Sequence, residues 1–103
     1  MNIVKMMQQA KKVQQQMAKL QEEIRALEVV GEAGGGMVKV TMRGDHTVAQ
    51  VAIEPSLFEE DRDLLPDLIA AAINDAVRKL AEAVAEKQKA LLAGMPLPPG
   101  LGL

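Results

Sequence analysis

Residues 3–27, IVKMMQQAKKVQQQMAKLQEEIRAL, place apolar side chains at Ile3, Met6, Ala10, Val13, Met17, Leu20, Ile24 and Leu27, in alternating steps of three and four. That is a heptad seam. Ile3, Ala10, Met17 and Ile24 take one seam position and Met6, Val13, Leu20 and Leu27 the other, and the interior holds neither Gly nor Pro. Its Gln, Lys, Ala, Leu and Met favour helix, so the spacing predicts one amphipathic helix over 3–27. A helix of about 25 residues is roughly 38 Å long, whereas a compact domain of this size is only about 33 Å across, from a radius of gyration of roughly 13 Å. Part of the seam therefore needs another partner, and a second copy of the chain is the simplest supplier.

Outward from this segment the periodicity changes. Residues 29–33 begin β-branched, and Gly34, Gly35 and Gly36 then break the chain, so a turn belongs there. Val38, Val40 and Met42 alternate with Lys39, Thr41 and Arg43, Gly44 and Asp45 punctuate, and 47–53 resumes an extended run. The pattern predicts a hairpin which, with the first short strand, makes a three-stranded antiparallel meander. Its Val/Met face can lie on a helix while Lys39, Thr41 and Arg43 face outward. Pro55 closes the last strand. Asp63 is the expected N-cap of a second long helix, with Pro66 tolerated in its first turn. Along it Leu65, Leu68, Ile69, Ile73, Ala76, Val77, Leu80, Val84 and Leu91 form an apolar stripe opposite Asp67, Asp75, Arg78, Lys79, Glu82, Glu86 and Lys89. Gly94 and Pro96 end it. The expected architecture is α+β, α-β-β-β-α, with a three-stranded antiparallel sheet, two long helices and a homodimeric assembly. One domain spans 1–94, and the uncharged Pro/Gly-rich tail 95–103 is extended unless a partner surface holds it.

A chain of 103 residues supports one core. Trp, Tyr and Cys are absent and Phe58 is the only aromatic residue, so the core is aliphatic and disulfides and thiolate metal sites are excluded. The cysteine-free composition fits a reducing cytoplasm. No continuous apolar signal region opens the chain, and no run approaches the roughly 18 apolar residues of a membrane span, which predicts a soluble protein. Net charge is −2. Its distribution is uneven: residues 1–21 carry Lys5, Lys11, Lys12 and Lys19 with no acid, whereas Glu59, Glu60, Asp61, Asp63 and Asp67 crowd together against Arg62 alone.

Catalytic chemistry is not visible. Ser56, two threonines and the single His46 at a hairpin turn do not make a nucleophile with its base. Glu59, Glu60 and Asp61 follow no calcium-loop pattern, and the glycine run leads into a strand, where a phosphate-cradling loop would lead into a helix. The first helix carries the more useful signal. Lys5, Lys12 and Lys19 recur every seven residues with Lys11 and Arg25 on the adjacent row, a basic stripe beside the apolar seam. Cations spaced about 10 Å along a helix can contact successive DNA phosphates, with affinity gained through counterion release. The plain alternative is a solvated flank of a coiled-coil-like helix, to which Glu22, Glu23 and Glu28 lend weight. Lacking aromatic platforms, the chain is poorly suited to stacking unpaired bases, which leaves the duplex backbone.

KMMQQAKKVQQQMAKLQEEI leads into LEVVGEAGGGMVKVTMRG, and IEPSLFEED, DLIAAAINDA and GMPLPPG follow. Read whole, with these segments in this order, the chain resembles the YbaB/EbfC family of nucleoid-associated DNA-binding proteins, which has similar segments at the same places. The resemblance implies an α-β-β-β-α subunit, a tweezer-like homodimer with protruding helices, a role in organising chromosomal DNA or regulating expression, and a place on the nucleoid of a bacterial cytoplasm. It implies no cofactor, no metal and no small-molecule substrate, and it suggests a packing role for the proline-rich ending. The expected function is therefore duplex-DNA binding as a homodimer, with phosphates contacted by Lys5, Lys11, Lys12, Lys19 and Arg25 and, more weakly, by Lys39, Arg43 and Lys89. Two rivals stay open: a coiled-coil scaffold or holdase chaperone, which the Met-rich helix also suits, and an enzyme acting through His46 and the acidic loop.

Overall fold

Asn2 starts the first helix: its Oδ1 accepts the backbone N–H of Val4 at 3.1 Å and of Lys5 at 3.4 Å, satisfying two of the donors a helix start leaves without partners. In the computed structural model, which describes residues 2–94, α1 spans Ile3–Arg25. It stops two residues short of the predicted Leu27. Ala26 caps it, and Leu27 already turns toward the sheet, its carbonyl accepting the N–H of Gly44 at 2.9 Å.

Three antiparallel strands follow in the order β1 (Glu28–Ala33), β2 (Val38–Arg43) and β3 (Val48–Ile53). Gly34, Gly35 and Gly36, with φ of 64°, 67° and 92°, make the first turn. Gly31 pairs with Val40 and Thr41 with Gln50, and a bulge between Thr41 and Met42 shifts the register so that Met42 faces Val48. As the alternation predicts, Val38, Val40 and Met42 are buried beneath the last helix. Lys39 and Arg43 point to the other face and are exposed.

The segment after β3 differs from expectation. Pro55 does close the strand, but it also leads into a short helix, α2 (Ser56–Glu59), which buries Leu57 in the core. Asp63 is not an N-cap: it lies inside a 3-10 turn, Arg62–Leu64, and Leu64 takes the cap position of α3 (Leu65–Ala93) without a side-chain hydrogen bond. Pro66 sits in the first turn of α3, where its missing N–H is harmless. The face of α3 against the sheet is centred on Ala72, Ala76 and Leu80, with Leu68, Ile69, Ile73 and Val84 beside them. Ala72 replaces the predicted Val77, which is 41% exposed. The reason lies in Gly31: a Cβ there would run into the Ala72 carbonyl and the Ala76 backbone nitrogen, so helix and strand backbones touch and only alanine fits between them. The expectation for the tail, 95–103, falls outside the described residues.

α3 lies across β1 and β2 and leaves β3 to one side. Val48 and Val51 on that strand are therefore nearly half exposed. α1 reaches the sheet with its C-terminal end, at the backbone contact between Ile24 and Gly44, whereas α3 packs on the sheet core from its N-terminal end as far as Val84. The two helices run in opposite directions and meet where Lys87 approaches Glu23 at 3.8 Å. Beyond that meeting α1 continues with no other described element beside it. The protein is consequently elongated, 71 × 25 × 15 Å with a radius of gyration of 20.1 Å, against about 13 Å for a compact chain of similar length.

Candidate nucleic-acid interface

Among the described residues nothing covers the projecting arm of α1. Every residue from 2 to 15 is exposed, and of the predicted seam only Leu20 is buried. Ile3 is 71% exposed and Met6 and Met17 about half, so among the described residues nothing covers the part of the apolar row from Ile3 to Met17, while Leu20 is buried and Leu27 packs against the core. This is the geometric form of the mismatch between helix length and domain size.

Lys5, Lys11 and Lys12 stand on this arm, Lys19 lies where it meets α3, and Arg25 is at its base; all are exposed. At 3.6 residues per turn, Lys5, Lys12 and Lys19 lie about 130° round the helix from the apolar row, and Lys11 and Arg25 about as far round the other way. The basic stripe is thus not beside the seam, as the sequence suggested, but outward of it, so covering the seam would leave the cations free. Among the described residues, none of these five side chains lies within ion-pair distance of a carboxylate. Glu22 and Glu23 are confined to the base of the arm, where Glu23 faces Lys87.

The remaining candidates fall on other surfaces. Lys39 and Arg43 lie on the face of the sheet turned away from α3, opposite Glu32 and Glu28 of β1 in the strand register. Arg43 Nε lies 3.8 Å from Glu28 Oε1, which makes that face mixed in sign. Lys89 is exposed near the end of α3. A groove of about 330 Å³ between the helices is lined by Gln16, Lys19, Leu20, Glu23, Lys87, Ala90 and Leu91.

His46 sits alone and exposed in the β2–β3 turn, with φ of 68°. Beside it Asp45 Oδ1 accepts Thr47 Oγ1 at 2.6 Å and Thr47 N–H at 3.0 Å, which holds the Asp45 carboxyl below its ordinary value. Glu59, Glu60 and Asp61 are exposed, and among the described residues no group of three His, Asp or Glu converges as metal ligands would. No helix among the described residues is long and apolar enough to cross a membrane. One ionic cluster was not anticipated: Asp75 and Lys79, expected on a solvated helix face, bind the backbone of β1. Their i, i+4 spacing was the only signal in the sequence.

Comparison with known proteins agrees with this geometry. The model of the YbaB/EbfC DNA-binding family matches residues 1–95. The crystal structure of an uncharacterized protein from Helicobacter pylori is similar in fold, with a TM-score of 0.62 and 25% sequence identity, over 92% of this chain and 97% of that one.

Proposed function

The chain belongs to the YbaB/EbfC DNA-binding family, and from that premise we propose that it binds duplex DNA as a homodimer, chiefly through the phosphate backbone, and helps organise the bacterial nucleoid or regulate expression. Residues 1–94 act as the folded unit. Lys5, Lys11, Lys12, Lys19 and Arg25 are the principal phosphate contacts, with Lys39, Arg43 and Lys89 secondary. No catalytic step is assigned.

The observation that carries this reading is the exposed arm whose cations have no carboxylate partner among the described residues. Ammonium groups that already hold an acid release little on meeting a phosphate, whereas unpaired ones displace condensed counterions. The protein's overall acidity is compatible with binding because the arm presents its positive charge away from the acidic segment around Glu59. The exposed apolar row on the opposite side of the arm supports pairing with a second subunit, which would bring two arms to one duplex.

The test is duplex binding measured across salt concentrations. If about five phosphates are neutralised, log affinity falls against log salt with a slope of roughly −4 to −5. Wild type is compared with a Lys5→Glu/Lys12→Glu/Lys19→Glu variant whose fold is checked by circular dichroism. Weaker binding and a flatter slope in the variant are expected, and equal binding would place the contacts elsewhere.

Exposed Met6, Met7 and Met17 also favour a second reading, a holdase or scaffold that engages apolar segments of other proteins. Suppression of aggregation of an unfolded client at substoichiometric dimer, with no duplex binding, would establish it over the first.

A further inference from the structure

Gln8 and Gln15 occupy the row of α1 directly opposite the apolar seam, as the helical repeat of 3.6 residues requires. Lys5 and Lys12 flank this row on one side and Lys11 on the other. Both glutamines are exposed, and among the described residues neither amide has a hydrogen-bond partner. No acid occurs on this helix before Glu22.

We infer that this face of α1 enters the major groove and that Gln8 and Gln15 read adenine there, a step that rests on the duplex-binding reading above. The groove is about 12 Å wide and admits an α-helix. A helix entering by this face points its central row at the base edges and its flanking lysines at the phosphates of the two walls. A glutamine amide is matched to adenine: Nε2 donates to N7 and Oε1 accepts from the N6 amino group, a pairing that no other base offers. Seven residues of helix span about 10.5 Å, which equals about three base-pair steps of 3.4 Å. The two glutamines therefore address adenines about three pairs apart. The seam, on the far side of the helix, stays free for a second subunit, so groove entry and dimer pairing do not compete.

The test uses the full-length protein and two duplexes of one sequence, one with ordinary adenines and one with every adenine replaced by 7-deazaadenine, which keeps base pairing and phosphates but lacks N7. Wild type should bind the ordinary duplex about tenfold more tightly. Gln8→Ala/Gln15→Ala, with helicity confirmed by circular dichroism, should bind both duplexes equally and keep the wild-type salt slope. Equal binding of both duplexes by wild type, or a preference that survives in the variant, overturns base reading while leaving phosphate binding intact. Failure of wild type to bind any duplex overturns the phosphate reading itself.

Discussion

The carboxylate of Asp75 on α3 accepts the backbone N–H of Glu32 on β1 at 2.9 Å. One helical turn on, Lys79 Nζ donates to the Val30 carbonyl at 3.0 Å and lies 3.0 Å from the same carboxylate, while Arg78 holds Asp75 Oδ1 at 2.9 Å. β1 is an edge strand. An acceptor and a donor from the helix thus occupy two backbone groups, the Glu32 N–H and the Val30 carbonyl, that a neighbouring strand would otherwise seek, which disfavours pairing along this part of the edge.

Asp75 should make stability depend on acid. Its pKa is held down from 3.8 to about 2, first by the Glu32 N–H, then by the Lys79 hydrogen bond and by Arg78. A depressed carboxylate contributes stability that is fully present above its unfolded pKa and is lost as pH falls through the folded one. The contribution should therefore fade between about pH 3.8 and 2. Asp75→Asn keeps a carbonyl acceptor but has no charge to titrate, so its urea midpoint should change less across that window than the wild-type midpoint. Parallel curves would assign the acid response to other carboxylates.

Gly31→Ala should destabilise the fold by at least about 2 kcal/mol, because its Cβ meets backbone atoms of Ala72 and Ala76 that cannot rotate away. Gly35→Ala is the control: nothing lies within 4 Å of a Cβ there, so only the left-handed backbone is penalised, by about 1–2 kcal/mol. Urea unfolding separates the two. A Gly31→Ala protein as stable as wild type would mean that α3 sits farther from β1.

His46 occupies a left-handed position at φ 68°. Replacing it with Gly removes the Cβ strain and, after allowance for the freer unfolded chain, should raise stability by about 0.5–1 kcal/mol with duplex affinity unchanged. A loss of affinity would give His46 a role that its exposed, isolated setting does not suggest.

The arm and the sheet should differ in their salt response. Lys12→Ala should reduce the salt slope by about 1, because Lys12 has no acid within ion-pair distance among the described residues. Arg43→Ala should change it by less, since Glu28 stands 3.8 Å away. Equal changes from both would spread the interface over the sheet.

The proposed pairing through the seam can be tested without touching the core. Met6→Glu/Val13→Glu places charges on two exposed apolar positions, far from Val40 and Leu80. Light scattering should report a monomer for the variant and a dimer for wild type, with thermal unfolding of the subunit core retained and duplex affinity lowered. A dimer that survives would direct attention to the uncovered Val48 and Val51 of β3.

What the sequence by itself determined is whatever short-range periodicity encodes. The three-and-four spacing from Ile3 onward specifies α1, the alternation of Val38, Val40 and Met42 with Lys39, Thr41 and Arg43 specifies β2 and its buried face, and the glycines at 34–36 specify the turn between β1 and β2. The lysines of the arm could be named for the same reason, since a helix fixes the angular position of each residue. Tertiary structure alone decided how these elements meet. Close approach of backbones at Gly31 and Gly44 set the line of α3, chose Ala72 over Val77 for the core, and aimed α1 past the end of its neighbour. The helix α2 and the 3-10 turn replaced the predicted Asp63 cap because the chain there turns to bury Leu57 beneath the sheet. The apolar row that starts on α1 is spelled out residue by residue, but only the long-range contacts showed that its C-terminal part is covered, at Leu20 and Leu27, while no described residue covers it from Ile3 to Met17, because burial depends on where distant segments lie.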